Sequence, residues 1–532
     1  MVVKRMLITR LFAALLMVGT LVSCGGGDEL LKLNLVLYTP PSGPNPYEGV
    51  DWLRITARDA NNKELVYDYV PLSYGAAQLK GIPYGTRQIV VEGHPTRPNT
   101  QEPYPEVILS RGGTPLVSMS TGSAEVYAPV YMIPSNTFVQ TAKAPLAAGP
   151  GAFATGMSLA RVGMTVTKLD DGNVVIAGGA FLSESTGSFE YATDLNPGTF
   201  RDSVEIYDVK DGTFTNTSTD SFKKLTHARA YHASVTLTDG RIAFLGGLTS
   251  INGQITAVKT VEVLDPSTGN IQYMPHLDLD MPRAYHTVTP IPGNTGRYLI
   301  VGGLDNASGN WAIWSELNGI EGTGNLLTPR YAHTATAVPG SNLVIITGGE
   351  NANGMAGSME IFNGAANTFE SQAIALPYAR SFHTASYVPQ RGFIYLAGGF
   401  GDYNHTTLVG AVDVFHVPTR QYQATGFAVS NPRAVHTAVV MEDNRVLLSG
   451  GMTLANGNYT PTATSEMIFE HLDATGQNLT IMIGDAANMP TSRFLHHGIA
   501  LDTGLALLVG GATSSNAGVG YSGPLPGLIY NR

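Results

Sequence analysis

Seven short apolar runs, each ending in a glycine pair, punctuate the chain. Residues 174–177, 242–245, 298–301, 343–347, 393–397, 446–449 and 505–509 precede Gly178-Gly179, Gly246-Gly247, Gly302-Gly303, Gly348-Gly349, Gly398-Gly399, Gly450-Gly451 and Gly510-Gly511. Runs that are apolar at every position, rather than at every second one, predict strands buried on both faces. Glycines at their ends permit the positive φ of a turn and a close backbone approach. Six copies carry Arg-x-x-His upstream: Arg229/His232, Arg283/His286, Arg330/His333, Arg380/His383, Arg433/His436 and Arg493/His496. The first copy departs, with Gly163 and Met164 after Arg161. In the copy starting at Arg380, a first strand over 384–388 precedes the apolar run. An alternating strand over 412–415 and a fourth near Tyr422 follow it, so each copy predicts a four-stranded antiparallel sheet.

Successive glycine pairs lie 68, 56, 46, 50, 52 and 60 residues apart, near the roughly 50-residue period of kelch arrays. With the apolar runs and the Arg-x-x-His starts, this resembles the kelch repeats of a galactose-oxidase-like β-propeller over 138–532, and seven copies imply seven blades. Phe214, Tyr273, Phe369 and Tyr422 stand where kelch blades carry an outer aromatic, and the third copy is irregular around Trp311 and Trp314. After Gly511 only one further strand is evident, near Leu528 to Tyr530. The segment 138–142 is therefore expected to complete the seventh blade from the N-terminal side, because an open sheet edge invites aggregation.

Residues 31–134 read as a separate unit. Strands are predicted over 33–38, 52–58, 65–70, 87–92 and 124–132, divided by Pro/Gly-rich turns, which suits a small β-sandwich. Gly81-Ile82-Pro83-Tyr84-Gly85 before an apolar strand is similar to immunoglobulin-like or transthyretin-like modules, and the expected role is a spacer. The fold class is thus all-β: a small N-terminal β-sandwich followed by a seven-bladed kelch-type β-propeller over 135–532.

The start of the chain bears on its compartment. Lys4, Arg5 and Arg10 precede an apolar stretch, 11–22, that is short for a bilayer span. Leu21-Val22-Ser23-Cys24 resembles the lipobox of bacterial lipoproteins. That resemblance implies a signal peptide over 1–23, acylated Cys24 and a tether over 24–30, with outer-membrane sorting suggested by Gly25. Cys24 is the sole cysteine, so no internal disulfide exists. Removing 1–23 leaves 28 Lys+Arg against 41 Asp+Glu, a net charge of −13, which disfavours nucleic acid. The expected partners are the membrane, through the lipid, and a protein or glycan ligand.

Candidate chemistry is sparse. The register histidines recur once per blade, so blade geometry separates them, whereas a metal site gathers three or four ligands; a structural role is expected and neither metal nor cofactor is assigned. Glu205, Glu262, Glu360, Asp413 and Glu466 recur on third strands and are expected to pair with the repeat arginines, the alternative being a cationic cluster at the channel mouth. Asp170-Asp171 and Asp278/Asp280 read as turn acids. Galactose oxidase uses a tyrosine cross-linked to a cysteine at its copper, and this propeller has no cysteine. No sialidase Asp-box, hydrolase triad or P-loop is present, and no catalytic residue is assigned. Aromatic loops after the glycine pairs supply ligand-binding candidates: Phe189, Tyr191, Tyr403, His405, Tyr459 and Tyr521. The expected function is a non-enzymatic, membrane-anchored binding lipoprotein. A sugar-processing enzyme of the kelch mutarotase type and an architectural subunit are the alternatives.

Overall fold

The computed structural model describes residues 32–40, 43–59, 61–74, 85–96, 107–114, 125–141, 157, 159–182, 195–209, 212–214, 224–304, 308–423, 426–455, 457–472, 479–513, 525 and 527–532. The readings on residues 1–31, the lipobox and Cys24 among them, lie outside it.

One blade explains the apolar runs. Thr384–Val388, Phe393–Ala397, Val412–His416 and Gln421–Gln423 pair in that order, antiparallel throughout. The second strand is buried at every position. Phe393, Tyr395 and Ala397 pack with Val446 and Leu448 of the next blade. Ile394 and Leu396, on its other face, pack with Ile345 and Ile361 of the preceding blade. A strand sandwiched between two neighbouring sheets has no solvent face, so alternation disappears from its sequence.

The ring has seven blades. Their inner strands begin at Thr165, Ala233, Thr287, Thr334, Thr384, Thr437 and Phe494. Blade 3 is regular despite its sequence: Trp311 and Trp314 both lie on its third strand, Asn310–Ser315, and Gly319–Asn325 forms the outer one. Trp314 is fully buried, its indole N–H donating to the Leu277 carbonyl at 2.7 Å. Blade 7 closes with chain from the opposite end. Leu528–Asn531 pairs with Thr137–Gln140, Ile529 facing Val139 and Tyr530 facing Phe138, and the Phe138 and Tyr530 rings lie 4.7 Å apart. The two strands are separated by almost 400 residues of sequence, so pairing them leaves no sheet edge open.

The N-terminal unit has a five-stranded sheet in the order Glu64–Pro71, Trp52–Arg58, Gln88–His94, Ser110–Gly113, Ile133–Pro134, and a parallel pair, Lys32–Tyr38 with Glu125–Tyr131. Leu37, Leu53, Ile55, Ile89, Val91 and Val130 form its core. Ser110–Gly113 and Ile133–Pro134 were not expected as strands, because neither carries an apolar pattern.

Topology gives the propeller two distinct faces. Turns joining first to second strands and third to fourth strands lie on one, the turn face. The glycine-pair loops and the segments leading into each repeat arginine lie on the other, the loop face. The N-terminal unit docks on the turn face. Glu442, in the first turn of blade 6, accepts from Arg111 at 2.5 Å, from Asn62 at 2.9 Å and from Arg58. Burial works to raise the Glu442 pKa, but Arg111 and Arg58 outweigh it and hold the carboxyl below its usual range. Gln88 donates to the Asp502 carbonyl in the equivalent turn of blade 7 at 2.6 Å.

Candidate functional site: the loop-face mouth of the channel

The repeated residues sit beneath the loop face. Arg330, with no exposed surface, donates to the Gly348 carbonyl at 2.7 Å, to the Ser358 carbonyl at 3.0 Å and to Glu360 at 2.6 Å. It thus ties the end of the second strand to the start of the third. Arg161–Glu205, Arg229–Glu262, Arg380–Asp413 and Arg433–Glu466 repeat the pairing, so the first blade keeps the arginine although it lacks the histidine. In blade 3 the third-strand position is Ala312, and Arg283 pairs with Asp280 at 2.9 Å instead. Asp280 is therefore not the turn acid that its neighbourhood suggested. Burial lowers the arginine pKa values, and the partner carboxylates oppose the shift.

Each histidine seals the gap between blades. His232, His333, His383 and His436 share hydrogen bonds of 2.9–3.2 Å with Thr165, Thr287, Thr334 and Thr384, each Thr opening the inner strand of the preceding blade. Ala233 holds that position opposite His286, and neither ring nitrogen of His286 has a hydrogen-bond partner. Met164 packs on Gly510 as the histidines pack on the other first glycines. The glycine pair is obligatory here. Gly349, at φ +97°, could carry a Cβ only 2.6 Å from the Tyr331 carbonyl, and one on Gly348, at φ +61°, would overlap the Arg380 carbonyl. Burial, then the adjacent arginines, push the histidine pKa values down, to about 3 for His286 and His436.

Between each Arg and His stands a residue that forms a collar round the channel. Gly163, Tyr231, Tyr285, Ala332, Phe382, Val435 and Leu495 all take φ of +50° to +61°. The N–H of each of the last six donates to the carbonyl of its counterpart one blade earlier, from Tyr231 on Gly163 (2.6 Å) to Leu495 on Val435 (3.0 Å). Six are not glycine, and a left-handed β-branched residue such as Val435 is strained. The collar opens a cavity of about 520 Å³, lined deeper by His333, His383, His436 and His497. Tyr231 and Tyr285 stack at its rim, with centroids 4.2 Å apart and 19° between planes.

One sector of the mouth differs. The residue after each glycine pair is Ala180, Leu248, Leu304, Phe400, Met452 or Ala512 in six blades and Glu350 in blade 4. The residue after each repeat arginine is Val162, Ala230, Ala284, Ala434 or Phe494 in five blades and Tyr331 or Ser381 in the two flanking Glu350. A continuous apolar belt is thus broken by a polar island. Glu350, fully buried, accepts from Ser381 at 3.1 Å and from His405 at 3.0 Å. Burial, then the Glu350 charge and the neighbouring Tyr403, push the Tyr331 pKa up. The island was readable by laying the seven copies over one another and looking for the polar exception.

Of the loop candidates, Phe189, Tyr191 and Tyr521 lie outside the described residues. Tyr403 is 44% exposed on the loop face. His405, φ +53°, is half-buried against Glu350, and its ring lies 4.5 Å from that of Phe400. Tyr459 packs edge-on against Phe400 at 5.6 Å, its buried hydroxyl pushed up to about 12 by burial.

No protein-family model matches the chain, and no curated protein matches it. Among solved structures, it is similar to a novel fungal alcohol oxidase of the AA5 family, in complex with copper: TM-score 0.50, 14% identity, 74% of this chain and 75% of that one. It is also similar to YjhT, with TM-score 0.43, 14% identity, 62% of this chain and 99% of that one. The architecture and the likeness to the AA5 structure define a galactose-oxidase-like, kelch-type propeller. Among the described residues no three His, Cys, Asp or Glu side chains converge to hold a metal.

Proposed function

We propose that the chain is an exported lipoprotein, held at the cell envelope through acylated Cys24, in the outer membrane, whose propeller binds a protein or carbohydrate partner through its loop face. The observation that carries the binding reading is where apolar surface is left uncovered. Nine large hydrophobic side chains are exposed among the described residues, and Ile251, Leu327, Tyr378, Tyr403 and Leu454 belong to loop-face segments. Exposed apolar groups gathered on one face mark interaction surfaces, whereas scattered ones do not. The N-terminal unit occupies the opposite face, so a tether leading into it leaves the mouth clear, in keeping with a spacer role.

The test is a pull-down from envelope fractions and a glycan array with residues 28–532. The comparison variant carries Tyr378→Ala, Tyr403→Ala and Leu454→Ala, exposed changes that leave the core intact. Capture lost only in the variant supports the reading; capture indifferent to it, or absent from both sources, removes it. Lipidation is checked separately by incorporation of an alkyne-tagged fatty acid, expected in the full chain and absent from Cys24→Ser.

A further inference from the structure

Charge is segregated between the two faces. Beyond Lys259 the sequence holds ten Lys and Arg residues. Five are the repeat arginines Arg283, Arg330, Arg380, Arg433 and Arg493, all without exposed surface. The other five are Arg297, Arg391, Arg420, Arg445 and Arg532. Each opens a second strand or lies in a turn or terminus at the turn-face end of its blade. Among the described residues the loop face of blades 3 to 7 therefore presents no exposed Lys or Arg side chain, and the undescribed residues after Lys259 include no Lys or Arg in sequence.

The acids are distributed differently. Glu350, Asp402 and Asp485 all lie at the loop-face end of blades 4 to 6, and the ion pairs formed by described residues join none of them to Lys or Arg. Asp402 accepts from the backbone and hydroxyl groups of Thr406 and Thr407, bonds that favour its ionised form. The same mouth carries aromatic side chains: the Tyr231–Tyr285 stack and Phe382 in the collar, and exposed Tyr378 and Tyr403 on loop-face segments. Carboxylates that share a mouth with π faces, with no competing Lys or Arg, attract ammonium and guanidinium groups both through charge and through the ring quadrupole.

We infer that the loop face of blades 4 to 6 docks a basic polypeptide segment, with a lysine or arginine side chain entering the mouth beside Phe382 and the Glu350 island. This deepens the binding reading above and rests on it. Charge complementarity selects a basic protein segment over a glycan or an acidic peptide. The carboxylates steer its approach, and the aromatic rim supplies contact area at small entropic cost.

Fluorescein-labelled oligolysine, oligoarginine and oligoglutamate peptides, titrated by anisotropy into residues 28–532, test the inference. The basic peptides should bind one per chain, more weakly as salt rises, and oligoglutamate should not bind. Glu350→Gln with Asp485→Asn and Tyr403→Ala should weaken basic binding about 10-fold or more. Asp239→Asn with Glu321→Gln on the turn face, which removes the same charge, should change it less than about twofold. Because the loop-face variant could lose stability, its melting temperature is measured alongside, and Asp485→Lys alone, at an exposed strand position, must also weaken binding. Equal effects of loop-face and turn-face variants, or no preference for basic peptides, overturn the inference. If the envelope pull-down then still depends on Tyr378, Tyr403 and Leu454, the binding reading survives and only the basic partner is lost.

Discussion

Within the single tetrapeptide Arg-x-x-His, two positions repeat and two vary, and they do different things. The arginines and histidines are buried and engaged within or between blades, whereas the positions between them form the belt and collar of the mouth. The collar residue takes nearly the same φ, +50° to +61°, in every copy. What repeats, the arginine in seven blades and the histidine in six, binds strands and blades together, and what differs on the same scaffold is free to carry recognition. Glu350, Tyr331 and Ser381 stand out by this criterion.

The largest way to stress the repeated half is acid. The histidines have folded-state pKa values depressed from about 6.5, to about 3 for His286 and His436, so between those limits the unfolded chain binds more protons. Stability is then complete above pH about 6.5 and falls as pH falls toward 3. At ~1.4 kcal/mol for each tenfold change in proton affinity, several such groups rival the ~5–15 kcal/mol that holds a domain folded. The melting temperature should drop steeply across this range; a flat profile from pH 7 to about 4 would rule the idea out. Blade 1 supplies the control, since Met164 fills the same gap without titrating: His383→Met should move the acid midpoint downward.

Next comes the buried pair. Glu360→Gln leaves Arg330 charged and enclosed, and should cost about 3–5 kcal/mol in denaturant unfolding. The turn-face pair Arg297–Glu321, at 2.8 Å with both side chains 26% exposed, should lose less than about 1 kcal/mol on Glu321→Gln. Similar costs for the two would erase the distinction between buried and exposed halves.

Legibility follows the same division. Repeat arginines, histidines and glycine pairs were readable because each appears in context many times, and the closing strand was readable because a ring cannot leave an edge. Asp280 was not, since its partner Arg283 is served from three residues upstream only where Ala312 has displaced the usual acid. Ser110–Gly113 is a strand through its partner: Val90 faces Gly113 and Glu92 faces Arg111, while Ser-Arg-Gly-Gly itself has no strand pattern. Tyr459 and His405 read as solvent-facing loop residues. Tyr459 packs on Phe400, and His405 reaches Glu350, across a junction between two blades, which no local pattern encodes.

A smaller effect repairs an irregular junction. At four junctions the Thr that opens an inner strand bonds the next blade's histidine; at the blade 6–7 junction Thr437 leaves His496 without a partner, and blade 2 has Ala233 instead. Ala233→Thr should give His286 its missing partner and raise stability by about 0.5–1.5 kcal/mol. The same change should leave the His333 junction untouched, because that histidine already shares a 2.9 Å bond with Thr287. An unchanged unfolding midpoint would mean that water already serves His286.

The smallest effect probes the variable half directly. A left-handed conformation costs an L-residue roughly 1–2 kcal/mol relative to glycine, and the collar holds six such residues. It keeps them because every collar N–H from Tyr231 to Leu495 is committed to the preceding blade, so no single residue can relax alone. Blade 1 already carries the unstrained solution, Gly163. Ala332→Gly should reproduce it at the one collar position whose side chain is a single methyl. The strain relieved exceeds the flexibility that glycine adds to the unfolded chain, about 0.5–1 kcal/mol, and a gain of roughly 0.5 kcal/mol is expected in urea unfolding. Phe382→Gly relieves the same strain yet should destabilise, because its ring packs 6.1 Å from that of Phe400. Opposite signs at two positions of identical backbone would show that the collar accepts strain in order to hold side chains at the mouth; equal signs would place the cost in the backbone alone.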